Sequence, residues 1–169
     1  GSSQHRLFYE TFTDTHDLTS DPERLLKNVQ RIYTTRSAFA ALKTHGAVVT
    51  WGDSEAGGDS RAVHLQLQEK VLSIYSTGTA FAALKEDGSV ITWGCSKAGG
   101  KSDSVQKQLA GGVQRIFSTT FAFAALKTNG SVVTWGQKKL GGASDRVQHD
   151  LQRDVQKIYS TAFAFAALK

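Results

Sequence analysis

The chain has no methionine, one cysteine and one proline among its 169 residues. The single thiol, Cys95, excludes an internal disulfide framework and a cysteine-based zinc site. No apolar run approaches the roughly 20 residues that span a bilayer as a helix, and no charged-then-apolar leader pattern opens the sequence. The missing first methionine reads as a processed product, a tag-cleaved product or a piece of a longer chain. Gly1-Ser2-Ser3 reads equally as a cloning scar or a natural start. Sixteen glycines against one proline point to many tight turns and few rigid linkers. What is present is ordinary for a globular domain: 40% hydrophobic and 21% charged residues, enough apolar surface to offset the entropy of ordering. A formal charge of +5 and a pI of about 9.4 permit an anionic partner without requiring one.

The dominant feature is an internal repeat. Ala-Phe-Ala-Ala-Leu-Lys begins at Ala38, Ala80, Ala122 and Ala164, a constant spacing of 42. Thr-Trp-Gly recurs at Thr50, Thr92 and Thr134, and Ile followed by Tyr or Phe recurs at Ile32, Ile74, Ile116 and Ile158. The N-terminus fits the same register in degenerate form, with Arg6–Glu10 at the Val48–Gly52 position and Tyr9 in the place of Trp51. The units therefore run over about 11–52, 53–94, 95–136 and 137–169, the last completed by residues 6–10.

Each unit reads as short elements. The β-branched and aromatic run Ile74–Thr77 is a strand. Ala80–Lys85 is a second strand, and Glu86-Asp87-Gly88-Ser89 is a hairpin turn in which glycine takes φ > 0. His45-Gly46 and Asn129-Gly130 stand at the same turn, and left-handed tolerance accounts for His45. Val90–Gly94 is the returning strand, followed by a loop with Gly57-Gly58, Gly99-Gly100 or Gly141-Gly142. Ser60, Ser102 and Ser144 are placed to cap a two-turn helix. Its apolar face is Val63/Leu67, Val105/Leu109 and Val147/Leu151; Asp21-Pro22 opens the first unit's helix in the same way.

The pattern from Val71 to Gly94, Val-x-x-Ile-Tyr-Ser-Thr followed by Ala-Phe-Ala-Ala-Leu-Lys-x-Asp-Gly-Ser-Val-x-Thr-Trp-Gly, resembles the RCC1-like repeat (regulator of chromosome condensation). It is also similar to the Ala-Phe-Ala-Ala-Leu-Lys/Thr-Trp-Gly repeat proteins of unicellular algae. Two departures stand out. Thr35, Thr77, Thr119 and Thr161 replace the family's glycine after the first strand, and Ala98-Gly99-Gly100-Lys101 replaces its usual Gly-Gln-Leu-Gly segment. The resemblance implies a mainly β fold in which each repeat is one β-propeller blade of three strands plus a short helix or fourth strand. One such unit cannot bury both faces of its sheet, so neighbours must cover it. The permuted ends favour a closed four-bladed ring, with residues 6–10 pairing beside Ala164–Leu168. An open stack and a segment of a larger ring are the alternatives.

Three residue sets are candidates for function. Tyr9, Trp51, Trp93 and Trp135 form a periodic aromatic series; stacking on a flat ligand is one reading, and packing of large apolar rings in the core is the favoured one. Phe39, Phe81, Phe123 and Phe165 read the same way. Lys43, Lys85, Lys127 and Lys169 recur at one strand end and form a candidate anion or partner face, or a solvated strand end. The loops at 53–56, 95–98 and 137–140 differ between units (Asp53 and Glu55, then Cys95 and Lys97, then Gln137, Lys138 and Lys139). Diversified loops on a constant frame are how repeat scaffolds build binding surfaces. Gly99-Gly100-Lys101-Ser102 imitates the end of a phosphate loop, but no long helix follows, so a turn and cap account for it better. His5, His16, His45, His64 and His149 share no ligand spacing. No catalytic set, cofactor site or metal site is suggested. The expected function is a non-enzymatic protein–protein interaction scaffold, in its specific version a peripheral accessory subunit of a larger (membrane) assembly. The alternative is nucleic-acid or chromatin binding through the lysine face.

Overall fold

The computed structural model describes residues 27–169. Their strands follow the period. β1 (Val29–Thr34), β2 (Ala38–Lys43) and β3 (Val48–Gly52) form one antiparallel sheet in that order. β4 (Val71–Ser76), β5 (Ala80–Lys85) and β6 (Val90–Gly94) form the second, and β7 (Val113–Ser118), β8 (Ala122–Lys127) and β9 (Val132–Gly136) the third. β10 (Lys157–Ser160) and β11 (Phe165–Leu168) form a fourth sheet of two strands.

The registers are superimposable from sheet to sheet. Phe39 faces Trp51, Phe81 faces Trp93 and Phe123 faces Trp135 across neighbouring strands. Each pair stacks with ring centroids 5.2 to 5.3 Å apart. The first strand bulges after its leading valine in all three complete sheets, and the bulge at the second turns Leu72 out to solvent.

Consecutive sheets pack face to face. The first strands lie side by side, β1 with β4, β4 with β7 and β7 with β10. The central strands β5 and β8 are buried from alanine to leucine on both faces. Ala80, Ala82 and Leu84 meet the next sheet's Phe123 and Ala125; Phe81 and Ala83 meet the previous sheet's Ala38, Ala40 and Leu42. Small side chains on one face admit the ring from the other, which is why the hexapeptide alternates as it does. Backbone bonds repeat the stitch. The turn carbonyls of Gly46, Gly88 and Gly130 accept from Val71, Val113 and Val155 N–H at 3.0 Å. Gly78, Thr120 and Ala162 carbonyls accept from Arg36, Gly78 and Thr120 N–H at 2.7 to 3.0 Å.

Three expectations need correction. The closing strand at residues 6–10, Tyr9 included, lies outside the described residues; among those described, no strand pairs with the outer edge of β11, and the array is not a closed sheet. At the register position of Glu10, moreover, Gly52, Gly94 and Gly136 hold φ of +103°, +95° and +106°, a conformation that side chains rarely adopt. The loop helices are short 3₁₀ segments, Arg61–Leu67, Asp103–Val105 and Asp145–Val147, and none is capped by its serine side chain. The hydroxyls of Ser60, Ser102 and Ser144 instead bond those of Thr50, Thr92 and Thr134 at 2.9 to 3.0 Å. The strand's threonine competes for the serine and ties the loop to the sheet. Finally, the left-handed residue of the first hairpin is Gly46 rather than His45. A second left-handed position precedes each first strand, at Asn28, Lys70, Gly112 and Asp154.

Candidate interaction surface

The aromatic series sits in the interfaces between sheets. Trp93 and Trp135 are 4% and 3% exposed, and Trp51 in the first sheet is half-buried. Their indole N–H groups reach back to the preceding loop: Trp93 Nε1 donates to Gly57 O at 3.0 Å and Trp135 Nε1 to Gly99 O at 3.1 Å. That loop must be glycine. A Cβ on Gly57 or Gly99 would stand 2.6 Å from the ring of Phe81 or Phe123. A Cβ on Gly58 or Gly100 would stand 2.2 Å from a carbonyl oxygen, that of Gly52 or Gly94. The paired glycines therefore serve close packing, and the phosphate-loop resemblance of Gly99–Ser102 dissolves: Lys101 faces Asp103 at 3.1 Å and Ser102 faces Thr92.

Lys43, Lys85 and Lys127 are half-buried and Lys169 is exposed. Lys85 Nζ donates to Gln66 O at 2.7 Å and Lys127 Nζ to Gln108 O at 2.6 Å. Each of these two lysines ties a strand end to the end of the preceding loop. Sequence reasoning missed a related tie. Thr77 Oγ1 accepts from Ala80 N–H and donates to Ala98 O at 3.1 Å, and Thr119 does the same toward Ala122 and Leu140. The threonine after each of these first strands thus holds its own turn and anchors the variable loop. Its invariance across the four units was the available signal.

The variable residues Asp53, Glu55, Lys97, Gln137, Lys138 and Lys139 are exposed, and Cys95 is half-buried. They lie on three equivalent turns, Ser54–Ala56, Ser96–Ala98 and Lys138–Leu140. Asp53 accepts from Glu55 N–H at 2.9 Å, a cap that Cys95 and Gln137 do not reproduce. Between the first two loops runs an open groove of ≈ 910 Å³, floored by Thr92 and Trp93 and walled by Glu55, Arg61, Cys95 and Lys97. Its charges are of both signs. Arg61 forks onto Asp59 at 2.6 to 3.0 Å, and its guanidinium hydrogen bonds hold the Asp59 carboxyl below the usual carboxylate range. Asp87, in a hairpin turn, is lowered by the hydroxyl and backbone N–H of Ser89. Among the described residues no group of three or more His, Cys, Asp or Glu could hold a metal ion, and no helix is long and apolar enough to cross a membrane.

Three-stranded antiparallel sheets repeated at a fixed period and packed face to face define the architecture. The fold is that of a β-propeller repeat array. Its blades match those of human WBSCR16 with a TM-score of 0.53 and 20% identity, over 83% of this chain and 45% of that one. Prp20p from Saccharomyces cerevisiae, a structure described with its binding properties to Gsp1p and histones, matches with a TM-score of 0.49 and 18% identity, over 67% of this chain and 32% of that one. The ectodomain of the Physcomitrella patens receptor kinase CR4 matches with a TM-score of 0.46 and 18% identity, over 68% of this chain and 31% of that one. The chain thus spans less than half the length of these solved propellers. No family model matches it, and no curated protein matches it at a significant level.

Proposed function

We propose that this RCC1-like array is a non-enzymatic scaffold that binds a protein partner through its variable loop edge. One observation carries the reading. The three turns at 54–56, 96–98 and 138–140 have the same backbone but differ in exposed chemistry, acidic with Glu55, basic with Lys97, doubly basic with Lys138 and Lys139. A constant frame with diversified, exposed side chains along one edge suits recognition of a surface rather than turnover of a small substrate. A mixed-charge groove favours a folded protein or peptide of mixed charge over a uniform polyanion. The specific version, an accessory subunit of a larger assembly, follows from the same edge.

Nucleic-acid binding through the lysine row is the weaker reading, since Lys85 and Lys127 already hold backbone carbonyls. Affinity capture from the source lysate, with and without nuclease and across a salt series, separates the two. The scaffold reading expects a defined protein set that survives nuclease and is lost when Glu55→Lys and Lys97→Glu are combined. Capture that vanishes with nuclease or moderate salt would transfer the function to nucleic acid, because phosphate contacts release counterions.

A further inference from the structure

The three hairpin tips carry three different residues before the same glycine: His45-Gly46, Asp87-Gly88 and Asn129-Gly130. Asp87 and Asn129 are both exposed, and their Oδ1 atoms make the same two contacts. Ser89 donates its N–H and its hydroxyl to Asp87 Oδ1 at 2.9 and 2.6 Å. Ser131 donates the same pair to Asn129 Oδ1 at 3.0 and 2.7 Å. The third tip is thus the second tip with a carboxamide in place of a carboxylate.

A glycine after asparagine leaves the following main-chain nitrogen unhindered, because glycine carries no Cβ. The Ser131 N–H also folds the Asn129 carboxamide back over the peptide that follows it. Two donors thereby polarise the oxygen on which negative charge develops when Cγ is attacked. One bond must open first, since Gly130 N–H donates to Lys127 O at 2.9 Å. An exposed turn opens locally at small free energy.

We infer that Asn129 is a site of spontaneous deamidation whose product in the folded protein is aspartate in the ordinary main-chain linkage. The nitrogen of Gly130 gives its proton to solvent and bonds to Asn129 Cγ. The Cγ–Nδ2 bond breaks and ammonia leaves. Water then opens the cyclic imide, its hydroxyl going to Cγ and its proton to the Gly130 nitrogen. The net change is exchange of an amino group for a hydroxyl, with nothing oxidised or reduced.

Opening at the main-chain carbonyl instead gives isoaspartate, which inserts a methylene into the backbone. The tip has no slack for it. Lys127 N–H donates to Ser131 O at 2.9 Å, and Val155 N–H donates to Gly130 O at 3.0 Å. A Cβ on Gly130 would stand 2.8 Å from Asp154 N. Aspartate keeps every one of these contacts, as the Asp87 tip does. It also resists returning to the imide, which forms from the protonated acid. The Ser89 hydroxyl and then its N–H hold the Asp87 carboxyl below the usual carboxylate range, with the charge of Lys85 adding to them. Lys127 stands to residue 129 as Lys85 stands to Asp87. The tip shares no residue with the loop groove, so this inference is independent of the scaffold reading.

The test ages the full chain in mildly alkaline buffer, folded and in urea, and follows it by isoelectric focusing and peptide mapping. The folded protein is expected to accumulate an acidic form that maps to Asn129, with aspartate in excess over isoaspartate when an isoaspartyl methyltransferase counts the latter. The chain in urea, where the imide opens unrestrained, is expected to give the reverse ratio. Asn129→Gln, whose longer side chain closes a ring far more slowly, should lose the acidic form, and Asn129→Asp should keep the parent's urea midpoint. An Asn129 that survives ageing in the folded protein overturns the proposal. Isoaspartate in excess in the folded protein, or a lowered midpoint for Asn129→Asp, overturns it as well.

Discussion

Phe123 and Phe165 occupy the same register position one period apart and live in different surroundings. Phe123 is sealed between the second and third blades by Trp135 and the Gly99 loop. Among the described residues, Phe165 has the loop of Gly141 beneath it and lines a cleft of ≈ 360 Å³. Sequence identity in the hexapeptide therefore does not carry equal burial. What seals the interfaces around Phe81 and Phe123 is the third strand with its indole, Trp93 or Trp135. The first blade shows the mirror case: Phe39 is 37% exposed although it stacks on Trp51.

The largest expected difference between the two interfaces comes from removing these rings. Phe123→Ala deletes a fully buried aromatic and should destabilise by about 3–5 kcal/mol, against about 1–2 kcal/mol for the half-buried Phe165→Ala. Urea unfolding midpoints at constant m decide it, and equal losses would break the comparison.

A glycine pair sharpens it. Gly99→Ala puts a methyl into the Phe123 ring at a left-handed backbone position and should lose about 2–3 kcal/mol. Gly141→Ala meets Phe165, which has the cleft to move into, and should lose about 1 kcal/mol less. Thermal melts of both variants test this; a larger loss at Gly141 would mean that the cleft is not open in solution.

The smallest effect lies at the loop ends. Lys70 holds φ 62° where Gly112 stands one period later. Relief of the left-handed strain should make Lys70→Gly stabilising by about 0.5–1 kcal/mol, and Gly112→Lys should lose a similar amount. The ion pair of Lys70 with Glu69, exposed and 3.5 Å long, adds little to stability. A lowered midpoint for Lys70→Gly would show that the position carries no strain.

Much of the site was legible only as position. The variable loops were visible because three copies of one frame can be compared within a single chain, and their placement along one edge follows from the period. The fate of Ser60, Ser102 and Ser144 was not legible: a serine before a helical pattern is a cap by local rules, but Thr50, Thr92 and Thr134 arrive from ten residues back and take the hydroxyl. Nor was the use of Lys85 and Lys127, whose carbonyl partners come from the preceding loop.

The sequence by itself determined the period, the three strands of each blade, the hairpin turns and the glycines that turn them. These depend on residues a few positions apart, where β-propensity and backbone sterics act alone. Tertiary structure decided which copies of an identical strand are buried and where the lysines and serines point. Those outcomes depend on what lies across an interface, and a hexapeptide cannot encode the presence of its neighbour.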